Sequence, residues 1–172
     1  MIRKALVLML LCRLLDSTVL HASQEAGVDQ TFRSFLQEWE AAQTRFINGD
    51  PTLWKQHTSQ RPDVTILGGF GGEGEKGWKA VASRYDWASS QYQPGGATLT
   101  VDYLNVLVSG DLAITAAIER QQNVRVGSKG ERGRRALRAT QIFRKEGGAW
   151  KLVHRHADQM TEKETPTGGR EQ

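Results

Sequence analysis

Apolar residues recur at every third or fourth position over residues 28–48 and again over residues 77–91, which predicts two amphipathic helices, each with one buried stripe. Between them, Pro51 to His57 predicts a shorter helix. From Ala97 onward the period changes to two, and short glycine-bearing turns separate four consecutive strands. Helices followed by an antiparallel meander indicate the α+β class, with the N-terminal helices packed on a strongly curved antiparallel sheet.

Two shorter segments lie between the predicted helices. Asp63 to Leu67 predicts a short strand, and the glycine-dense residues 68–74 after it predict a mobile loop or a bulged turn. A phosphate-binding loop would need a Lys followed by Ser or Thr, and Lys76 is followed by Gly77. A flexible rim beside a pocket is therefore the favoured interpretation.

The last predicted strand, Trp150 to Asp158, carries the most chemistry. Regular alternation would place Trp150, Leu152, His154 and His156 on one face, as an apolar floor with two imidazoles at one end. Imidazole titrates near neutral pH, so this face predicts a polar pocket. The alternative is that each ring is a satisfied polar group at a sheet edge or at a subunit contact.

The basic excess of the chain is concentrated in one segment. The formal net charge is +4, and residues 129–138 contain much of it, without interleaved aromatic residues. A solvated hairpin tip is favoured over a nucleic-acid patch, so no nucleic-acid partner is expected. Arg138 is the better candidate for holding a carboxylate, whereas Arg120 is expected to be solvated. Alternation leaves open whether the face of Arg138 or the opposite face, with Leu137, Ala139, Gln141 and Phe143, is the inner one.

The chain ends differ in composition from the predicted domain, residues 24–160. Residues 1–23 have a positive start and an apolar run too short for a stable membrane span, which resembles a secretory signal and predicts a secreted or periplasmic protein. The alternative is a disordered extension of a cytoplasmic protein. The single cysteine, Cys12, lies in this segment, so a mature domain would contain neither a disulfide nor a catalytic thiol. Residues 161–172 are polar and aperiodic, and predict a disordered tail.

The order of these elements resembles the nuclear transport factor 2-like superfamily, specifically its SnoaL-like branch. The resemblance covers residues 28–158 and rests on the aromatic first helix, Asp63 to Leu67, Gly77 to Val81, and the ending from Phe143 to His156. That ending is also similar to the association domain of calcium/calmodulin-dependent kinase II. The resemblance implies a conical fold, a deep pocket and frequent dimers. Together with the N-terminal segment, it leads us to expect a homodimeric protein exported in a bacterial setting. Because members include isomerases, cyclases, dehydratases and binding modules, the fold does not determine the activity.

Three functions remain open from the sequence. The first is binding of a small apolar or carboxylated organic ligand. The second is acid/base catalysis of the isomerase, cyclase or dehydratase kind, by His156 with an acidic partner such as Asp63, Asp158 or Glu119. The third is a dimeric assembly module without a ligand. No cofactor and no metal site are expected, because His154, His156 and Asp158 supply only three recognisable ligands. The sequence predicts His156 and Asp63 as catalytic residues, and as ligand-binding residues Trp39, Trp54, Phe70, Tyr103, Arg138 and His154.

Overall fold

A computed structural model describes residues 29–127 and 131–162 of the chain. The predicted signal segment with Cys12, the centre of the basic hairpin tip and the end of the predicted tail lie outside the described residues. Among the described residues, no helix has the length and hydropathy that a membrane crossing requires.

Three helices and six strands make up the fold. The helices are α1 (Gln30–Phe46), α2 (Thr52–His57) and α3 (Trp78–Ser90). The strands are β1 (Thr65–Leu67), β2 (Glu75–Lys76), β3 (Thr98–Ser109), β4 (Leu112–Arg125), β5 (Arg132–Glu146) and β6 (Ala149–Gln159).

The strands form one sheet in the order β2-β1-β6-β5-β4-β3. The predicted antiparallel meander of four strands is confirmed, and so is the α+β class with the helices first. The short strand β1 extends the sheet, because it pairs in parallel with β6 and places Thr65 opposite His154. The sheet is therefore mixed at this end, with β3 as one edge strand.

The core lies between α1 and the concave face of the sheet. The apolar stripe of α1 is buried as its spacing predicts. Phe143 of β5 is fully buried, and its ring centroid lies 5.4 Å from that of Phe32 and 5.6 Å from that of Trp39. Rings at these distances and steep angles make favourable edge-to-face contacts. These contacts hold α1 against the inner face of the sheet.

A β-bulge at Val153 changes which side chains of β6 face the core. Ile142 is opposite His154, but the next residue, Phe143, is opposite Leu152, so Val153 has no partner of its own. One extra residue reverses the alternation. Leu152 faces the core before the bulge, and Arg155 faces it afterwards. The prediction that His154 and His156 share a face with Trp150 and Leu152 is therefore wrong: both histidines lie on the outer face.

The face of β5 that alternation left open is now determined. Leu137, Ala139, Gln141 and Phe143 are all buried and face the helices. Arg138 lies on the opposite, outer face and is exposed. The expectation that Arg138 lines the interior is consequently wrong.

Candidate functional site

A buried ion pair lies on the inner face of the sheet. The carboxylate of Glu119 on β4 accepts two hydrogen bonds of 2.6 Å from the guanidinium of Arg155 on β6. The two side chains are only 2% and 5% exposed, respectively. Burial of the guanidinium opposes its charge, but the Glu119 carboxylate outweighs this effect and raises the pKa of Arg155. Arg155 therefore remains a cation inside the protein.

Two glutamines complete the surroundings of the Glu119 carboxylate. Its Oε1 atom accepts a hydrogen bond of 2.7 Å from Gln43 on α1 and one of 3.1 Å from Gln141 on β5. The amide of Gln141 is oriented in turn by the indole of Trp39, whose Nε1 donates to Gln141 Oε1 over 3.1 Å. With four donors on one carboxylate, the anion is stabilised and its orientation is determined from α1, β5 and β6 together.

A cavity of about 50 Å³ lies next to this ion pair. Its wall is formed mainly by aromatic and aliphatic side chains from α1, α2, α3 and the sheet. One polar atom of a lining residue, Arg84 Nε, is buried without a hydrogen-bond partner, whereas Trp54 and Thr58 interact with the hydroxyl of Tyr85. Burial raises the pKa of Tyr85, so its hydroxyl keeps the proton. Arg84 Nε is therefore a donor that a bound acceptor group would satisfy.

Phe70 and Arg135 form the rim of the cavity. Arg135 on β5 donates to the hydroxyl of Tyr92 over 2.7 Å and to the carbonyl of Gly69 over 2.9 Å. Its guanidinium carbon lies 4.3 Å from the centroid of the Phe70 ring, within cation–π range. Arg84 of α3 donates to the carbonyl of Gly71. Two arginines thus attach residues 68–74, called the glycine loop below, to the body of the protein.

Glycine is required in this loop for two separate structural reasons. Gly71, like Gly72 and Gly74, has a positive φ, which side-chain-bearing residues rarely adopt. Gly69 is required by close approach, since a Cβ there would lie 3.1 Å from the methyl carbons of Leu137. The loop can therefore lie directly on the inner face of β5.

A groove of about 420 Å³ lies on the other side of the loop. It shares with the cavity the residues Gly68, Gly69, Phe70 and Arg135. The end of β6, including Asp158, forms its far wall. Phe70 and Arg135 thus lie between a narrower, mainly apolar space and a wider, more open and more polar one.

Two of the predicted ligand-binding residues, Trp54 and Phe70, line the cavity. Trp39 is fully buried behind it, with its ring centroid 4.6 Å from that of Trp54. Tyr103 on β3 is half-buried against the core and does not line the cavity. Burial, reinforced by the charge of Glu40, raises the pKa of Tyr103 well above its usual range.

The two predicted catalytic residues lie apart from the cavity. His156 is on the outer face, where its Nε2 lies 3.0 Å from a carboxylate oxygen of Asp158. Asp63 is exposed and accepts a hydrogen bond of 2.8 Å from Arg144, which holds the pKa of the Asp63 carboxyl below its usual value. His154, also on the outer face, contacts Thr65 through Nδ1 at 2.7 Å. Burial lowers the pKa of His154, and the neighbouring His156 adds to this effect.

Arg155 and Arg135 are the functional side chains that the sequence interpretation missed. Arg135 was assigned to a solvated hairpin tip, although it shares alternation with Leu137 and Ala139 and so belongs to the inner face of β5. Arg155 is brought inside only by the bulge at Val153. Glu119 had been considered as one of three acids, but without a partner.

Arg120 lies on the surface, on the outer face of β4. Arg120 forms an ion pair of 2.8 Å with Asp102, and both side chains are about half exposed (47% and 49%). The expectation that Arg120 is solvated is confirmed.

Within residues 29–127 and 131–162, no group of three or more His, Cys, Asp or Glu side chains is arranged to hold a metal ion.

Comparison with known structures identifies the fold. The chain has the fold of a nuclear transport factor 2-like protein from Salmonella enterica (20% identity, 90% of this chain and 99% of the other covered, TM-score 0.63). It is also similar to a ketosteroid isomerase-like protein from Erwinia carotovora (14% identity, 78% and 100% covered, TM-score 0.63). A third similar structure is a proposed association domain of calcium/calmodulin-dependent protein kinase II from Xanthomonas campestris (18% identity, 76% and 86% covered, TM-score 0.60).

At these identities the structural matches establish the fold and leave the activity open. A search of curated proteins found no match. The SnoaL-like domain family matches residues 32–162, which is most of the chain. By sequence and by fold, this chain belongs to the SnoaL-like domain family.

Proposed function

We propose that this protein binds a small, largely apolar organic molecule in the cavity between the helices and the sheet. The observation that carries the proposal is a cavity with mainly aromatic and aliphatic walls, whose wall residues include one buried unpaired donor, Arg84 Nε. An apolar pocket with a few convergent polar groups is the usual form of a small-molecule site.

The chemistry of the wall favours binding over acid/base catalysis. Among the residues that line the cavity, Glu119 is the one acidic residue, and there is no histidine. Its carboxylate already accepts four hydrogen bonds, two of them from the Arg155 guanidinium. A general base needs a free lone pair in reach of the substrate proton, and these four donors already occupy the Glu119 carboxylate. The acid/base alternative with His156 would instead place the reaction on the open outer face, beside Asp158.

Filling the cavity tests the proposal. Ala88 on α3 lines the cavity and is buried, whereas Ala80, two turns earlier on the same helix, is exposed. We expect Ala88→Leu to occupy the space and abolish binding, and Ala80→Leu to leave binding unchanged. Binding is measured as the rise in unfolding temperature with a panel of single-ring aromatics and medium-chain aliphatic compounds. Equal ligand-induced stabilisation of both folded variants would contradict the assignment of the site.

We also propose that the protein self-associates through the outer face of the sheet. Four large apolar side chains are exposed at one end of β3 and β4, with Leu104 at 72% and Leu107 at 56%. Leu112 and Ile114 complete the group, and Leu107 lies directly opposite Ile114. A contiguous apolar surface on an edge strand and its neighbour is typical of an interaction site, and a second copy of this face would cover it symmetrically.

A charge on this surface tests self-association. Leu107→Lys is expected to convert a dimer into a monomer in light scattering after gel filtration. Thr100→Lys is the matched control, since Thr100 lies on the same face of β3 but outside the apolar group. A wild-type protein that is monomeric at high concentration would refute self-association and leave ligand binding unaffected.

A further inference from the structure

As the structure describes it, the cavity is smaller than the ligand proposed for it, so binding requires the cavity to enlarge. Its volume is about 50 Å³, which holds a few water molecules, while a cavity of roughly 150 Å³ is needed for benzene. The neighbouring groove has about 420 Å³. Phe70 and Arg135 belong to both spaces, so the side chain of Phe70 determines whether they are separate.

Phe70 is held in place by contacts that a ligand could replace. Its ring centroid lies 5.4 Å from that of Tyr92 and 5.9 Å from that of Trp87, which is partly exposed. Its loop is attached to the protein body through the side chains of Arg84 and Arg135. Because Phe70 is flanked by two glycines on each side, residues 68–69 and 71–72, the backbone has the conformational freedom to carry the ring outward.

The charge of Arg135 indicates what kind of ligand would replace the ring. Arg155 is paired with Glu119, and Arg84 lies 3.6 Å from a Glu75 oxygen. Arg135 has no acidic partner among the described residues, and the two acceptors it contacts are a neutral hydroxyl and a carbonyl. A guanidinium carries five N–H donors, so it retains capacity for a carboxylate, which is its preferred bidentate partner.

We propose that the ligand is an apolar carboxylate that displaces Phe70, joining the cavity and the groove into one site. This inference rests on the proposed binding function. The hydrocarbon part occupies the cavity and the position vacated by the ring. The carboxylate binds Arg135, which changes its stacking on Phe70 for a charge-assisted pair. Arg135 therefore selects for acids, and Phe70 acts as a removable plug.

The test compares two ligands that differ in charge but share a hydrocarbon chain, octanoate and octanol, by isothermal titration calorimetry. We expect octanoate to bind the wild-type protein about 10- to 100-fold more tightly than octanol, the range for a hydrogen bond to a charged group. Arg135→Gln should remove this preference by weakening octanoate alone. The matched control is Arg134→Gln, since Arg134 is the preceding residue on β5 and is exposed; it should preserve the preference.

A third variant tests the plug separately from the charge. Phe70→Ala should strengthen the binding of both ligands and preserve the preference for octanoate. In the wild-type protein, binding of octanoate should also change the fluorescence of Trp87, because its neighbouring ring moves; Trp87→Phe identifies that signal.

The outcomes separate the inference from the function on which it rests. If octanol and octanoate bind the wild-type protein equally well, the acid selectivity is refuted while binding of an apolar molecule stands. If Arg135→Gln and Arg134→Gln weaken octanoate equally, general surface charge is responsible and the role of Arg135 is refuted. If Phe70→Ala leaves the binding of both ligands unchanged, the plug is refuted. If neither ligand binds, the inference and the proposed function both fail.

Discussion

Neutralising Glu119 tests the ion pair on which the site is built. In Glu119→Gln the side chain keeps its shape, but the guanidinium of Arg155 remains 5% exposed and loses its counter-charge. It also loses two hydrogen bonds of 2.6 Å to charged acceptors. Removing one partner of a buried pair costs about 3–5 kcal/mol, because the other charge stays buried without compensation. In a domain of this size, the expected fall in unfolding temperature is about 10–15 °C.

Urea denaturation followed by tryptophan fluorescence measures this cost, with Asp102→Asn as the matched control. Asp102 also forms an ion pair with an arginine at 2.8 Å, but both side chains are about half exposed (49% and 47%). Exposed pairs contribute about 0–1 kcal/mol, so the control should unfold close to the wild-type midpoint. Equal losses in Glu119→Gln and Asp102→Asn would show that burial does not determine the energetics of the pair, and would refute the reasoning.

A double variant distinguishes loss of the pair from loss of packing. Glu119→Gln combined with Arg155→Met removes both charges and retains most of the side-chain volume. Its destabilisation should be smaller than the sum of the two single variants by about 1–3 kcal/mol, because no unpaired charge remains. Additive losses would mean that the two side chains act independently.

Two further predictions concern the core and the outer face. Phe143→Ala should destabilise the protein by about 3–5 kcal/mol in denaturant titrations, because it leaves a cavity among the rings between α1 and the sheet. A loss of less than about 1 kcal/mol would contradict the close packing of Phe143 against α1. Burial lowers the pKa of His154 below the ordinary value of 6.5, so the folded state binds fewer protons than the unfolded state below that pH. The stability that His154 contributes is present above pH 6.5 and decreases as the pH falls through the folded pKa. His154→Gln should therefore reduce the loss of stability on acidification. An unchanged dependence of stability on pH in this variant would contradict the prediction.

The helices could be predicted closely because each has one buried stripe of regular period. The first helix was predicted over residues 28–48 and spans Gln30–Phe46; the third was predicted over residues 77–91 and spans Trp78–Ser90. The meander followed from glycine-bearing turns between alternating segments. The parallel pairing of β1 with β6 was not predictable in this way, because it joins segments that are distant in sequence.

Arg135 shows why composition was a poor guide to the site. It lies in a run of basic residues, and such a run is usually solvated. The exposed members of the run, Arg132 and Arg134, follow that rule. Arg135 departs from it because β5 begins at Arg132, inside the basic run, so alternation with Leu137 already applies to it. The missing information was the extent of the strand rather than the charge.

Arg155 shows the limit of alternation itself. Leu152 and Ala157 are both buried on the inner face although they are five positions apart. In a regular strand an odd spacing puts two residues on opposite faces, so an extra residue has to lie between them, and it is Val153. The bulge could not be inferred from Ala157, because alanine occurs on both buried and exposed faces. Burial of Arg155 is energetically tolerated only because Glu119 faces it from β4, two strands away. The bulge thus exchanges two imidazoles for one guanidinium on the inner face, and the interior gains a permanent cation suited to holding acceptors in place of groups that transfer protons near neutral pH.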